Sequence, residues 1–243
     1  MSFLKISSIR LGQAARKRKV RAGDILLAID GYLFNQDTKE LEKKFADKES
    51  GPWLLTFKRG EVIFDIFFDE PLKSNFDITS AIETGEAIES FKMHRYHDWQ
   101  DYKTFEVYRD IKKKAEIIEI TRDSIAGYLP PLWMLQNRLY FPLASVLIIY
   151  GVTFISSIYL CLIAILLVGV YTHRAQISLK RSYCLFDEKF LWFVSASPDE
   201  IGVLEKVMEL DPDTKCRQQP KANVSEPEQK KVKILPQPAD YLT

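Results

Sequence analysis

Cysteine is scarce: 3 in 243 residues are too few for a disulfide scaffold, and such sparse thiols fit a reducing compartment. The 10 glycines are scattered, and no Gly-rich loop that would cradle a phosphate is among them. Neither sign of charge dominates. Lys+Arg 34 against Asp+Glu 33, net +1, gives no global field to draw nucleic acid or an acidic substrate, so any electrostatic signal is local. His-Glu-x-x-His and Gly-x-Ser-x-Gly are both missing, which removes the usual zinc- and serine-hydrolase readings. Within residues 1–30, Lys5 and Arg10 interrupt Leu4, Ile6 and Ile9, leaving no apolar run of the roughly 7–15 residues a secretory signal needs. The first domain is therefore expected in the cytosol. At 47% hydrophobic and 28% charged, the chain is also too apolar for a disordered protein.

What is present is one long stretch without charge, residues 139–172. As a single helix it would be roughly 50 Å long against a hydrocarbon thickness of about 30 Å. A break near Gly151 and Thr153 divides it better. The second helix then covers residues 154–172, about the ~20 residues of one span. The first begins at Pro131, where proline suits the opening turn, and ends near Tyr150, with Gln136, Asn137 and Arg138 inside it. Arg138 is expected to snorkel to the headgroups or face its partner helix. Trp133, Tyr140, Phe141 and Tyr171 fit an interfacial aromatic belt. Basic residues flank both ends, Lys112, Lys113, Lys114, Arg122 and Arg138 before and His173, Arg174, Lys180, Arg181 and Lys189 after. The positive-inside rule then puts both ends, and both termini, in the cytosol.

Residues 1–70 read as a small α/β unit. A short apolar strand precedes the Asp30-Gly31 turn, and residues 37–48 place Leu41 and Phe45 at helical spacing. Gly51-Pro52 stops that helix, and residues 53–58 and 62–68 read as strands around Arg59-Gly60. Gly12-Gln-Ala-Ala15, Ala22-Gly-Asp-Ile-Leu-Leu-Ala-Ile-Asp-Gly31, the 39–45 helix and Leu54-Leu-Thr-Phe-Lys-Arg-Gly60 together resemble a PDZ domain of the type attached to bacterial proteases. The resemblance implies a peptide groove beside the helix, filled by strand addition to a sheet edge. The family's earlier strands and carboxylate-binding loop would precede residue 3, so the unit is read as truncated. Residues 3–10 then form a first strand at an exposed edge that a second copy, the connector after Pro71 or an extended partner must cover. Phe3, Ile6, Ile9, Leu41 and Phe45 are the expected partner surface, with plain core packing the competing reading.

Residues 71–103 read as a connector with a capping-box signal at Ser80 and Glu83, weakened by Gly85. Segments 104–108 and 115–120 suggest a β-hairpin around Lys112-Lys-Lys114. The period of three in Trp99, Tyr102, Phe105 and Tyr108 offers a helix instead. Beyond the membrane, residues 174–210 are expected as a cytosolic helix-strand-helix, with Ser197-Pro-Asp-Glu200 opening the last helix. Residues 211–243, rich in Pro, Gln and Lys, read as a disordered tail. Phe105-Glu-Val-Tyr108, Ile117-Ile-Glu-Ile-Thr-Arg-Asp-Ser-Ile-Ala126, Pro130-Pro-Leu-Trp-Met-Leu-Gln-Asn-Arg-Leu-Tyr140, Arg181-Ser-Tyr183 and Val194-Ser-Ala-Ser-Pro-Asp-Glu200 resemble a family of small bacterial inner-membrane proteins catalogued as a domain of unknown function. That resemblance implies architecture and location, and no reaction.

The fold expected is an α+β membrane protein: a PDZ-like unit (1–70), connector (71–103), β-hairpin and membrane entry (104–130), transmembrane helical hairpin (131–173), cytosolic helix-strand-helix (174–210) and tail. His94 and His97, with Asp98 or Asp101, have metal-ligand spacing if helical, against a solvated polar connector. Arg16, Lys17, Arg18, Lys19 and Arg21 form a basic stretch suited to anionic lipid or to a solvated loop. No cofactor, nucleic acid or small-molecule substrate is indicated. The function expected is a non-enzymatic membrane-anchored adaptor at the cytosolic face of the bacterial inner membrane. The alternative is an auxiliary subunit of a transport or envelope-assembly complex, packed through Arg138, Ala144, Ser145, Ser156 and Ser157.

Overall fold

The structure is a computed structural model that describes residues 2–9, 13–46 and 52–216. The expected tail beyond residue 216, Arg10, Gly12, the end of the 37–48 helix and Gly51 lie outside the described residues. In chain order the elements are β1 (Leu4–Ile9), α1 (Ala14–Lys17), β2 (Ile25–Ile29), β3 (Tyr32–Leu33), α2 (Thr38–Ala46), β4 (Trp53–Arg59), β5 (Val62–Phe68), β6 (Ser74–Ile78), α3 (Ala81–Met93), β7 (Lys103–Arg109), β8 (Lys114–Glu119), α4 (Ile125–Tyr128), α5 (Pro130–Gln136), α6 (Tyr140–Ser156), α7 (Ile158–Phe186), β9 (Phe190–Ser197), α8 (Glu200–Leu210) and β10 (Lys215–Cys216). The chain forms two units. One comprises Met1–Glu119 together with the chain from Leu191, and the other is Ile120–Phe190. These boundaries differ from the sequence division, because segments read as separate modules share one sheet.

That sheet runs β10-β8-β7-β9-β5-β4-β2-β1-β6, with β3 paired to β2. β4 and β5 pair without interruption from Trp53↔Phe68 to Arg59↔Val62. Gly60, φ 59°, takes the first position of their two-residue turn, a conformation open to glycine. Asp30 and Gly31, φ 51° and 81°, make the corresponding turn between β2 and β3. β7 and β8 are the hairpin, not the helix, because Phe105, Val107, Ala115 and Ile117 all enter the core of the sheet.

β2 is buried along its whole length and β4 along nearly all of it. One face packs Leu26, Leu55, Phe57, Phe64, Phe193 and Val203 into a core shared by both halves of the sheet. On the other face, α3 lays Ala87, Ile88 and Phe91 against Phe3, Ile25 and Leu27. The connector is thus a working part of the fold: β6 pairs with β1 from Leu4↔Ile78 to Ile9↔Ser74 and covers the edge that the sequence left open. Ser80 caps α3 with the complete capping box, its side chain accepting from Glu83 N while Glu83 accepts from Ser80 N. Thr84, Ala87, Ile88 and Phe91 carry the i, i+3, i+4, i+7 stripe of that helix. At the other end, α8 is capped by Asp199, which accepts from Gly202 N. Ser197, the expected cap, is still strand.

In the second unit, α5 ends earlier than expected. Arg138 has φ 58°, and Leu139 N donates to Met134 O across six residues, a Schellman ending with arginine where glycine is usual. Arg138 therefore sits in the turn between α5 and α6, outside either helix. The next break is at Ser157 and not near Gly151 and Thr153. Gly151 costs a helix only about 1 kcal/mol, and the Thr153 hydroxyl donates to Ile149 O inside α6. α6 and α7 pack together, with the Phe141 and Phe186 rings 5.6 Å apart. Gly169 of α7 meets Gly127 of α4 so closely that an added Cβ would lie 2.5 Å from the Gly127 oxygen.

Two glycines should respond in opposite ways. Gly85 faces open space, so Gly85→Ala should raise stability by about 1 kcal/mol, read from denaturant unfolding of the purified chain. Gly169→Ala should destabilise by about 1–3 kcal/mol because backbone must move.

Candidate functional site

Asp65 lies in the middle of β5 and is 1% exposed. A carboxylate there loses its water and needs donors within the fold. Its Oδ1 accepts from the Thr56 hydroxyl at 2.7 Å. Its Oδ2 lies 3.1 Å from His94 Nε2 and 3.9 Å from Lys206 Nζ. Tyr96 OH reaches Thr56 Oγ1 at 2.8 Å and extends the network. β4, β5, the end of α3 and α8 are tied at one point. Burial works against the Asp65 charge, but His94, Lys206 and Thr56 outweigh it and hold the carboxyl below its ordinary range. Burial, then the neighbouring Asp65 charge, pushes the Tyr96 and Tyr102 phenols upward. Both oxygens of Asp65 are committed to intramolecular partners, so this arrangement is a clasp more than a reactive centre.

A second buried acid organises the loop before β2. Asp24, also 1% exposed, receives Arg59 in two parallel bonds, Nε at 2.8 Å and Nη2 at 2.7 Å, and Arg21 N at 2.7 Å. Arg59 also donates to Lys19 O and lies over the Phe64 ring. The turn needs left-handed backbone at Lys19, φ 59°, and Gly23, φ 95°. This accounts physically for the Ala22-Gly-Asp motif: glycine for the turn, aspartate for the arginine. Beside it, the Arg109 guanidinium lies 4.1 Å from the centre of the Trp192 ring and donates to Asp211 and Thr214.

The residues singled out from the sequence fall as follows. Phe3, Ile6, Leu41 and Phe45 are buried in the fold's own core, and Ile9 is half-buried. Phe45 stands edge-on to Trp53 at 4.7 Å. As a partner surface they are inaccessible, because β6 pairs with β1, α3 covers Phe3, and Leu41 and Phe45 of α2 turn into the core. Arg16, Lys17 and Arg21 are exposed, whereas Arg18 and Lys19 are half-buried and Arg18 pairs with Asp69. Trp133 is fully buried, with Lys180 Nζ 5.6 Å from its ring, while Arg138, Tyr140 and Tyr171 are exposed. α3 ends before His94, so His94 turns to Asp65 while His97 is exposed. Among the described residues, no three His, Cys, Asp or Glu side chains gather as a metal site would require. Thr56, Asp65 and Lys206 were not singled out from the sequence. The available signal is a lone acid inside Val62-Ile-Phe-Asp-Ile-Phe-Phe68, an otherwise apolar strand that has to pair such a charge.

No protein-family model matches the chain, and no curated protein or solved structure matches it either.

The Asp65 clasp gives a signed pH dependence. A carboxyl depressed in the folded state stabilises above its unfolded value, about 3.9, and that stability is lost as pH falls through the lower folded value. Asp65→Asn should cost about 3 kcal/mol at pH 7 by leaving Lys206 and His94 unmatched. Unfolding followed from pH 7 to 3 should show a weaker acid dependence in the variant.

Proposed function

We propose that this is a non-enzymatic, membrane-anchored adaptor whose α6–α7 segment enters the bacterial inner membrane as a helical hairpin and whose sheet unit lies in the cytosol. The observation that carries the reading is connectivity. β8 precedes the apolar segment and β9 follows it, yet both are strands of one sheet. A segment whose two flanks belong to one folded unit crosses a bilayer an even number of times. The helix Ile158–Phe186 is long and apolar enough to cross, and Tyr140–Ser156 is a shorter apolar helix. Leu147, Ile148, Val152 and Ile155 on α6, and Leu162, Ile163, Leu166 and Leu167 on α7, are exposed. Lipid is the natural cover for an apolar surface of that extent. The Asp24 turn, the Asp30-Gly31 reversal and α2 support the PDZ-like reading of the first segment, with peptide entry at β1 closed by β6.

A second reading, an auxiliary subunit of an inner-membrane complex, is favoured by the surface of α6. Ser145 and Ser156 donate to Phe141 O and Val152 O. With Ala144 they leave a small, internally satisfied surface that lets another helix approach closely.

Reporter fusions at the two chain ends should agree in sidedness, both cytosolic, and the protein should resist carbonate extraction from membranes. Opposite sidedness, or release by carbonate, refutes the anchor. Ala144→Leu with Ser145→Leu should abolish a stoichiometric detergent-stable partner only under the second reading.

A further inference from the structure

Three arginines converge beside β9, and two are already matched. Arg59 is held by both oxygens of Asp24. Arg109 is held by Asp211 and Thr214 and stacks on Trp192. Lys113, next to them, shares Asp211 and takes Asp213. Arg21 is different. Its guanidinium makes one long bond, 3.4 Å, to Trp192 O, and among the described residues no carboxylate lies within ion-pair distance of it. Its backbone is nevertheless fixed, since Arg21 N donates to buried Asp24 and the turn is set by Lys19 and Gly23. The side chain therefore projects from a rigid base.

We infer that Arg21 is the primary contact of a phosphate-binding site, flanked by Arg59 and Arg109 along the Trp192 segment. Arg21, Arg59, Arg109 and Lys113 stand against Asp24, Asp211 and Asp213, and the excess positive charge is carried by Arg21, which has no carboxylate of its own. A planar guanidinium presents parallel donors that match phosphate oxygens, and a tetrahedral anion can spread its charge over more than one cation. The electrostatic surroundings agree: burial and the nearby Arg59 disfavour the Arg21 charge, Asp24 offsets part of this, and Arg109 adds to it. Arg16 and Lys17, exposed at the end of α1, extend the positive field. The phosphate can belong to an anionic lipid headgroup or to a soluble phosphate compound; the recognition chemistry is shared. The inference does not rest on membrane anchoring, because every residue in it belongs to the sheet unit.

The full chain in a zwitterionic detergent is titrated with inorganic phosphate against chloride at matched ionic strength, with binding read by phosphorus NMR and by the thermal midpoint. Phosphate should bind and raise the midpoint, and Arg21→Gln, which keeps the backbone bond to Asp24, should weaken binding tenfold or more. In a second arm, hydrogen exchange of amides 19–24 is compared in phosphatidylcholine nanodiscs with and without phosphatidylglycerol. Added protection with phosphatidylglycerol assigns the headgroup; phosphate binding without it assigns a soluble ligand. If neither phosphate nor phosphatidylglycerol has an effect, or if Arg16→Gln with Lys17→Gln weakens binding as much as Arg21→Gln, the site is refuted in favour of a diffuse field.

Discussion

The β4–β5 hairpin lies in the middle of the sheet, and the two buried acids on it and beside its turn, Asp65 and Asp24, need partners within the fold. The effective cost of removing an ion from water is several kcal/mol even after relaxation. Asp24 recovers it through the paired bonds of Arg59, at the turn end of β4. Asp65 recovers it through Thr56, His94 and Lys206. Each solution recruits a separate part of the chain. The first fixes the loop before β2, and the second fixes the end of α3 and one face of α8. Apolar packing alone tolerates a sliding contact; a buried carboxylate with two or three directed donors does not. Asp65 therefore fixes where α8 and the end of α3 sit, and Asp24 fixes the loop that leads into β2.

Much of this was legible locally. Asp30-Gly31 and Arg59-Gly60 marked reversals because tight turns require backbone that glycine adopts freely, and the Ser80–Glu83 spacing marked the start of α3. Helix ends were legible only where composition announces them. α1, α5 and α7 end at Lys19, Arg138 and Glu188, each with positive φ and each followed by a residue whose N–H reaches back to Ala15, Met134 or Cys184. No glycine stands at those positions, so nothing local distinguished Arg138 from a residue inside a helix. The reach of α3 was missed for a related reason: Gly85 suggested a weak helix, but it lies on the exposed side, where it affects propensity and no packing.

Pairings between distant segments were not legible, since alternation of apolar residues states that a strand is half or fully buried without naming its neighbour. Nothing in Ser74-Asn-Phe-Asp-Ile78 specifies β1, and nothing in Phe190-Leu-Trp-Phe-Val-Ser-Ala-Ser197 specifies β5. The same limit applied to the basic stretch. Its charges were visible in sequence, but the difference between Arg18, matched by Asp69, and Arg21, left without an acid, depends on chain segments 51 and 171 residues away.

The position of β9 also orders the assembly of the chain. It lies between β5 and β7, yet it is made after residues 120–189. Until then β5 has a bare edge on the side that Ala196 will pair, and β7 has one opposite β8. Exposed edges of this kind invite pairing with another chain. The sheet is completed only once the apolar segment and the strand after it have been synthesised. Without β9 and α8 the sheet stays in two pieces, with Asp65 deprived of Lys206 and Phe64 deprived of its contact with Phe193, whose rings stand 5.1 Å apart. Completion of the sheet thus waits for the strand that follows the apolar segment, and the contacts that β9 and α8 make with β5 are what join the two chain segments on either side of it into one sheet unit.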